Sequence, residues 1–430
     1  SLHSMKKINI LVIGNGGREH AFCWKLAQSQ FTNKLFIAPG NGGTEDLATN
    51  LDIGVNDFGA IKKAVLINQI QLVIVGPEAP LVNGLHDFFL SDQALKDIPV
   101  IGPKKMGATL EGSKEFAKMF MQRHEIPTAK YGSFNEENIN QGYDFLDQMK
   151  PPYVLKANGL AAGKGVLIID DLKQAKTELA NMLLNQKFGA ASSKVVIEEF
   201  LTGTELSCFV LTDGNTHLTF PMAKDYKRIG EGDKGLNTGG MGAISPVPFM
   251  DDQFNQKIHD RIVKPTIKGL QKDKIPYLGF LFIGLIKVGE DPYVIEYNVR
   301  LGDPETQVVL PRIKNDFVEL LLAAAKGCLS QTEIQIDDRH ATTVVAVSGG
   351  YPEGYQKGKK ITGLEKVKGS IVFHAGTILK EGKIHTDGGR VLAVTSYGKG
   401  HESALEQTYS QIEKIYFEGI NFRRDIGFDL

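Results

Sequence analysis

The first hundred residues alternate short apolar runs with turns rich in glycine and proline. Ile8 to Ile13 stops in Gly14-Asn15-Gly16-Gly17, after which Arg18 to Gln28 has the spacing of a helix. Leu35 to Ile37 ends in Ala38-Pro39-Gly40-Asn41-Gly42-Gly43, Leu72 to Val75 in Gly76-Pro77-Glu78, and Val100-Ile101 in Gly102-Pro103. Apolar runs of this kind fit strands buried on both faces of a parallel sheet. Their terminal loops then share one edge, where an open parallel sheet forms its ligand crevice and helix N-termini favour phosphate. A dinucleotide site is disfavoured, because Glu19 stands where Gly14-x-Gly16 would need a third small residue and Ala38-Pro39-Gly40 offers no acid for a ribose.

Further along, Ser113 is expected to cap a helix with Phe116, Met119 and Phe120 at helical spacing, ending before Pro127. Tyr153 to Lys156, the loop Ala157 to Gly165, and Val166 to Ile169 read as strand, glycine loop, strand. Three residues separate Gly159 from Gly163, Gly165 follows Lys164, and a strand follows the loop, so this is no Walker loop. A flap over phosphates and a flexible surface hairpin both remain open. Leu172 to Leu184 is a predicted helix, and Val195 to Ile197 a strand that runs into Glu198-Glu199-Phe200-Leu201, whose backbone suits adenine. Gly230 to Gly242 holds six glycines and is expected to be an irregular functional loop or a disordered linker, not a packed element. Beyond Leu329, Ala341–Val347, Ser370–Phe373, Thr377–Leu379 and Val391–Thr395 are short strand candidates, and Ser403 to Tyr416 an amphipathic helix. His374 is expected to be a satisfied structural histidine rather than an active-site contact.

Tyr293 to Gln307, YVIEYNVRLGDPETQ, carries the most chemistry. Strand alternation puts Glu296, Asn298 and Arg300 on one side and Ile295, Tyr297 and Val299 on the other. A carboxylate and an amide oxygen suit Mg²⁺, which shares its shell with substrate phosphates, and an adjacent guanidinium can hold a second anion. Alone, such a triplet would equally be the polar face of a half-buried strand.

At 430 residues the chain should divide into two to four domains. Its 49 Lys plus Arg balance 50 Asp plus Glu, which gives no global attraction to nucleic acid or an anionic membrane. Cys23, Cys208 and Cys328 lack disulfide or zinc spacing, so a reducing cytoplasm is the expected setting. Tyr277 to Ile286, the longest apolar run, is too short to span a bilayer, and no charged-then-apolar signal opens the chain. Ser1 to Ser4, ahead of Met5, read as foreign to the natural sequence.

With GNGGREH (Gly14–His20), PGNGGT (Pro39–Thr44), GPEAPL (Gly76–Leu81), LKANGLAAGKGV (Leu155–Val166), NTGGMG (Asn237–Gly242) and EYNVRLGDPETQ (Glu296–Gln307) in this order, the chain resembles the phosphoribosylamine-glycine ligase (glycinamide ribonucleotide synthetase) family of the ATP-grasp superfamily over essentially its whole length. The resemblance implies an α/β protein with an N-terminal open parallel-sheet domain (1–108), an ATP-grasp domain (109–329, lid about 127–194) and a small β-rich C-terminal domain (330–430). It implies that ATP phosphorylates glycine and that the amine of 5-phosphoribosylamine attacks the glycyl phosphate, with Mg²⁺ or Mn²⁺ and no covalent protein nucleophile. Nucleic acid and membrane are not expected partners, and a monomer is compatible with the sequence.

Carried onto this sequence, Lys114 and Lys156 are implied phosphate contacts, and Gly159, Gly163, Lys164 and Gly165 the flap. Glu198, Glu199, Phe200 and Leu201 resemble the adenine hinge, and Glu205 a ribose contact. Glu296 and Asn298 resemble metal ligands, while Arg300, Lys156 and Asp225 are the implied catalytic groups. Asp225, Thr238, Gly240, Arg300 and Asp303 would surround glycine. Gly16, Gly17, Arg18, Asn41, Gly42, Gly43, Thr44, Pro77 and Glu78 would hold phosphoribosylamine, largely through backbone amides. Leu278 to Lys287 carries no carboxylate, unlike many superfamily members, which leaves the number of metal ions and any third ligand open. A sister ATP-grasp ligase or carboxylase, or a nucleotide sensor without turnover, would share part of this pattern.

Overall fold

The computed structural model describes residues 6–161 and 164–430. The expectations for Ser1 to Ser4 and for Gly163 fall outside the described residues. β1 (Ile8–Gly14), β2 (Thr32–Pro39), β3 (Thr49–Asn50), β4 (Leu72–Val75) and β5 (Val100–Ile101) form a parallel sheet in the order β3-β2-β1-β4-β5. Ile10 and Val12 enter one core with Phe22 and Phe280, while Leu11 and Ile13 enter another with Ile61 and Val73. Both faces of β1 are therefore covered, which is why its apolar residues do not alternate with polar ones. The strand order reverses between β1 and β4, so the loops after Gly14 and Val75 flank the crevice.

β6 (Tyr131–Asn135), β7 (Tyr153–Ala157), β8 (Val166–Ile169) and β9 (Lys194–Glu198) form an antiparallel sheet in the order β6-β9-β7-β8. Phe134, Leu155 and Ile197 pack one face against Leu146 and Leu179 of two helices. The other face carries Lys156 paired with Val166, and Val154 paired with Ile168. The helix Lys114–Arg123 starts as expected, with Ser113 Oγ accepting the Phe116 N–H at 3.2 Å. Its buried side is Ala117, Lys118, Phe120 and Met121, and Met119 is exposed, contrary to the expectation.

β10 (Thr204–Thr212), β11 (His217–Thr219), β14 (Gly279–Val288) and β15 (Asp291–Asn298) make a third sheet, ordered β11-β10-β14-β15. Between them, β12 (Lys224–Gly230) and β13 (Lys234–Ser245) form a hairpin that corrects the expected loop over Gly230 to Gly242. Met241 to Ser245 are buried because β13 pairs with β16 (His340–Val347), a partner a hundred residues away that the local pattern cannot reveal. Gly232, Gly235 and Gly240 adopt positive φ at or near the irregular stretches of the ladder. β17 (Ile371–His374), β18 (Thr377–Lys380), β19 (Lys383–Thr386) and β20 (Arg390–Gly398) complete the C-terminal region in the orders β12-β13-β16-β20-β17 and β18-β19. β19 was not anticipated. Its tight turn uses Glu381 (φ 52°) and Gly382 (φ 75°), the geometry of a primed hairpin turn. The last helix is His401–Ile412.

The N-terminal helix meets the C-terminal sheet through two histidines. The His374 N–H donates to His20 Nδ1 at 2.6 Å, the rings lie 5.5 Å apart, and His374 Nδ1 lies 3.0 Å from Thr377 Oγ1. The structural role expected of His374 is thus its observed role. Burial holds His374 down to about 4, with Asp46 opposing, and burial beside His374 holds His20 to about 3. A histidine kept neutral only in the folded state costs nothing above its ordinary value and destabilises progressively below it. The thermal midpoint should therefore fall as pH drops from about 6.5 to 4, with His374 alone contributing on the order of 3 kcal/mol. His374→Asn should flatten that slope, and scanning calorimetry against pH reads both.

Candidate active site

β15 presents the expected polar face, but with a bulge. Gly284 pairs with Glu296 and Leu285 with Val294, so Val294, not Ile295, joins Tyr297 and Val299 in the core. Ile295 is only half-buried. Glu296 and Asn298 still share one face, and Arg300 Nη2 reaches back to Asn298 Oδ1 at 3.4 Å. Gly284 stands opposite Glu296 and Phe282 opposite Asn298, which places no acid beside them on β14. Among the described residues no group of three or more acidic, His or Cys side chains could hold a metal ion.

Burial alone would raise the Glu296 carboxyl, but Lys227, Lys156, Lys114 and Arg300 outweigh it and hold it below its ordinary value. Lys156, Arg300 and Lys227 have acid neighbours of their own, while Lys114 binds backbone carbonyls. Lys156 Nζ lies 2.9 Å from Glu198, which also binds Lys118 Nζ at 3.0 Å, all three groups being buried. Arg300 donates to Glu78 and to Glu111, each at 3.2 Å. Burial pushes Glu111 up to about 7 against the pull of Arg300. Lys227 is raised chiefly by Asp225, with Glu205, Glu296 and Glu305 adding to it.

Lys114 Nζ donates to the carbonyls of Ala157 (2.8 Å) and Gly159 (3.4 Å), tying its helix to the glycine hairpin. Gly159 N–H is taken by the Ala191 carbonyl, Lys164 N–H by Ala161, and the Gly165 carbonyl by Ala157 N–H. Glu199 is committed to Lys130, donating its N–H at 3.0 Å and accepting at Oε1 at 2.9 Å. After it, Phe200 is exposed, and the chain leads to Glu205 at the start of β10. Val166 and Ile168 are exposed apolar side chains on the Lys156 face of the lid, a feature the sequence reading passed over.

In the N-terminal loops Glu19 fills the slot between two strand ends. Its Oε1 accepts the Gly16 N–H at 2.9 Å, and a Cβ on Gly14 or Gly76 would lie 2.3 or 2.1 Å from its side chain. Arg18 pairs with Glu19 and donates to the Leu301 carbonyl, while its own N–H donates to Asp303 at 3.1 Å. Pro77 precedes Glu78 at the start of a short helix. The amides of Asn41, Gly42, Gly43 and Thr44 are all engaged within the protein. This loop serves as a support: Asn41 Nδ2 holds the carbonyls of Asn15 and His374.

Asp303 is the junction of three regions. Besides Arg18, it accepts Gln307 Nε2 at 2.7 Å, and Arg390 Nη1 donates to its carbonyl at 2.8 Å and to that of Gly240 at 3.4 Å. Thr238 Oγ accepts the Gly240 N–H and donates to the Lys227 carbonyl. Tyr226 points into the C-terminal core, so Asp225 and Lys227 stand on the opposite face of β12. Sequence reasoning missed Lys118, Glu111, Lys227, Glu305 and Arg390. Lys118 was findable, four residues after Lys114 on one helix face, and Glu305 lies inside the GDPETQ segment.

Models of the phosphoribosylglycinamide synthetase N domain, ATP-grasp (A) domain and C domain match residues 8–111, 112–306 and 341–429. A phosphoribosylamine–glycine ligase of Caldanaerobacter subterraneus subsp. tengcongensis is 44% identical over 420 residues, covering 98% of this chain and 99% of that protein. A bifunctional purine biosynthetic protein of Pichia angusta is 46% identical over 98% of this chain, which spans 54% of that protein's length. The crystal structure of a phosphoribosylamine–glycine ligase from Thermotoga maritima superposes with a TM-score of 0.85 at 35% identity, over 97% of this chain and all of that one.

Glu198 neutralises two buried lysines, and removing one partner of a buried ionic group typically costs about 3–5 kcal/mol. Glu198→Ala should lower stability by that order, measured by urea unfolding, whereas Glu199→Ala at the exposed Lys130 contact should change it far less.

Proposed function

The chain belongs to the phosphoribosylglycinamide synthetase family, and on that premise we propose that it is an ATP-dependent ligase joining glycine to 5-phosphoribosylamine through a glycyl phosphate in purine biosynthesis. The products are glycinamide ribonucleotide, ADP and phosphate. The observation that carries this reading is the half-buried Glu296 beside the Asn298 amide oxygen, its carboxyl held below its ordinary value by the surrounding Lys227, Lys156, Lys114 and Arg300. Two hard oxygen donors fit Mg²⁺ or Mn²⁺ when waters and phosphate oxygens complete the shell. Such an ion, when bound, supplies charge neutralisation on the phosphates.

The chain's own residues do the rest. Lys114 and Lys156 face the phosphates, Gly159, Lys164 and Gly165 form the flap, and Val166 and Ile168 offer an apolar surface for the base. The backbone of Phe200 and Leu201 meets the base edge, and Glu205 the ribose. Glu198 and Glu199 hold this hinge in place through their lysine partners rather than by contact with the nucleotide. Arg300, fixed by Glu78 and Glu111, orients the glycine carboxylate for transfer, with Asp225, Thr238, Gly240 and Asp303 around the amino acid. Phosphoribosylamine sits against Gly16, Gly17, Arg18, Pro77 and Glu78, with the 41–44 loop as support. In this division residues 1–108 bind the amine substrate, 109–329 ATP, and 330–430 close the centre through Arg390. Burial pushes the thiols of Cys23 and Cys208 up, so neither is a nucleophile, in keeping with direct attack of glycine on ATP. Free cysteines support a reducing, cytoplasmic setting.

With no other acceptor amine present, sustained release of ADP should require glycine and freshly generated phosphoribosylamine together, and equal release with either one omitted would contradict the assignment. Glu296→Gln should lower turnover roughly a hundredfold, about 3 kcal/mol, with the fold intact by circular dichroism.

A further inference from the structure

Glu305 is buried at this centre and belongs to none of the groups that hold ATP or glycine above. Its side chain folds over Gly302, where a Cβ would lie 2.4 Å from Oε2. Its own backbone amide is the donor beside it, and Asp225, Lys227 and Arg300 supply the surrounding charge. The segment that carries it links the two substrate regions. On one side Asp303 accepts the Arg18 N–H, and Gln307 Nε2 lies 2.4 Å from where a Cβ on Gly17 would be. On the other, Lys227 stands among Asp225, Glu205, Glu296 and Glu305, connecting this carboxyl to the metal-ligand pair. Glu305 is thus placed between the loops that receive the amine and the carboxylate beside which the acyl phosphate forms.

We propose that Glu305 is the proton acceptor for the amine that attacks the acyl phosphate. This rests on the ligase reading above. In the step, the amine nitrogen bonds to the glycyl carbonyl carbon. The bond from that carbon to the phosphate oxygen breaks, and its electron pair leaves with inorganic phosphate. The proton shed by the nitrogen passes to a Glu305 carboxylate oxygen. Burial and the neighbouring Asp225 carboxyl raise Glu305 to about 8, which makes its ionised form a competent base near neutral pH. The groups facing it are Asp225 and Lys227 from β12 and Arg300 from the end of β15, and of these Lys227 and Arg300 oppose the rise.

The test compares wild type, Glu305→Gln and Glu305→Asp with two acceptors, phosphoribosylamine and hydroxylamine, the second reacting with any glycyl phosphate without needing strong base assistance. Wild-type kcat/KM for phosphoribosylamine should rise with pH and level off above about 8. Glu305→Gln should lose roughly a hundredfold or more of that value along with the rising limb. It should keep hydroxamate formation within a few fold, and Glu305→Asp should restore part of the rate on a shifted limb. An unchanged pH profile in Glu305→Gln overturns the proposal, as does equal loss of both reactions or a raised KM for glycine alone. Failure of the wild type to form hydroxamate or ligated product from glycine would instead remove the ligase reading itself.

Discussion

A single half-buried carboxylate, Glu296, sets the terms for the rest of the centre. Taking an ionised group out of water is expensive unless it is paired, and Glu296 stays charged because Lys114, Lys156, Lys227 and Arg300 converge on it. Those cations come from a helix start, a lid strand, the β12 hairpin and the end of β15. Lys156, Lys227 and Arg300 each have acids of their own, which recruits Glu198, Asp225, Glu78 and Glu111 from further elements, while Lys114 is held by backbone carbonyls. The folds of the lid, the central sheet and the N-terminal sheet are locked to one another by this chain of charge pairing. The centre is thereby arranged with alternating charge before any ligand enters.

The Gly302–Gln307 segment turns that local arrangement into a three-part closure. Asp303 takes an amide from the first helix of the N-terminal region and lies beside Arg390 from the C-terminal sheet. The β12–β13 hairpin reinforces it, because it leaves the central region to pair with β16 while returning Asp225 and Lys227 to the centre. The small β-rich C-terminal region thus reaches this centre through Arg390 and through the pairing of β13 with β16.

Much of this was legible in the sequence where burial dictated it. β1, β4 and β5 are apolar runs because both sheet faces are covered, and the glycine hairpin between β7 and β8 follows from its turn residues. The Glu296–Asn298 face survived a bulge at Ile295 that strict alternation could not foresee. Long-range pairing was invisible: the glycines of β13 read as a loop because the stabilising partner is β16. Likewise, nothing local in the 41–44 loop shows that the Thr377 carbonyl takes up its Gly42 amide. Arg390 had no sequence signal, while Lys118 followed from Lys114 by helical spacing and Glu305 sat in plain view two residues after Asp303.

The most direct measurement follows oxygen. With glycine carrying oxygen-18 in its carboxylate, direct attack on the terminal phosphoryl group predicts that one labelled oxygen leaves in each inorganic phosphate released during ligation. Phosphate that stays unlabelled while the amide product accumulates would contradict an acyl phosphate. It would also remove the roles given to Glu296, Asn298 and Arg300.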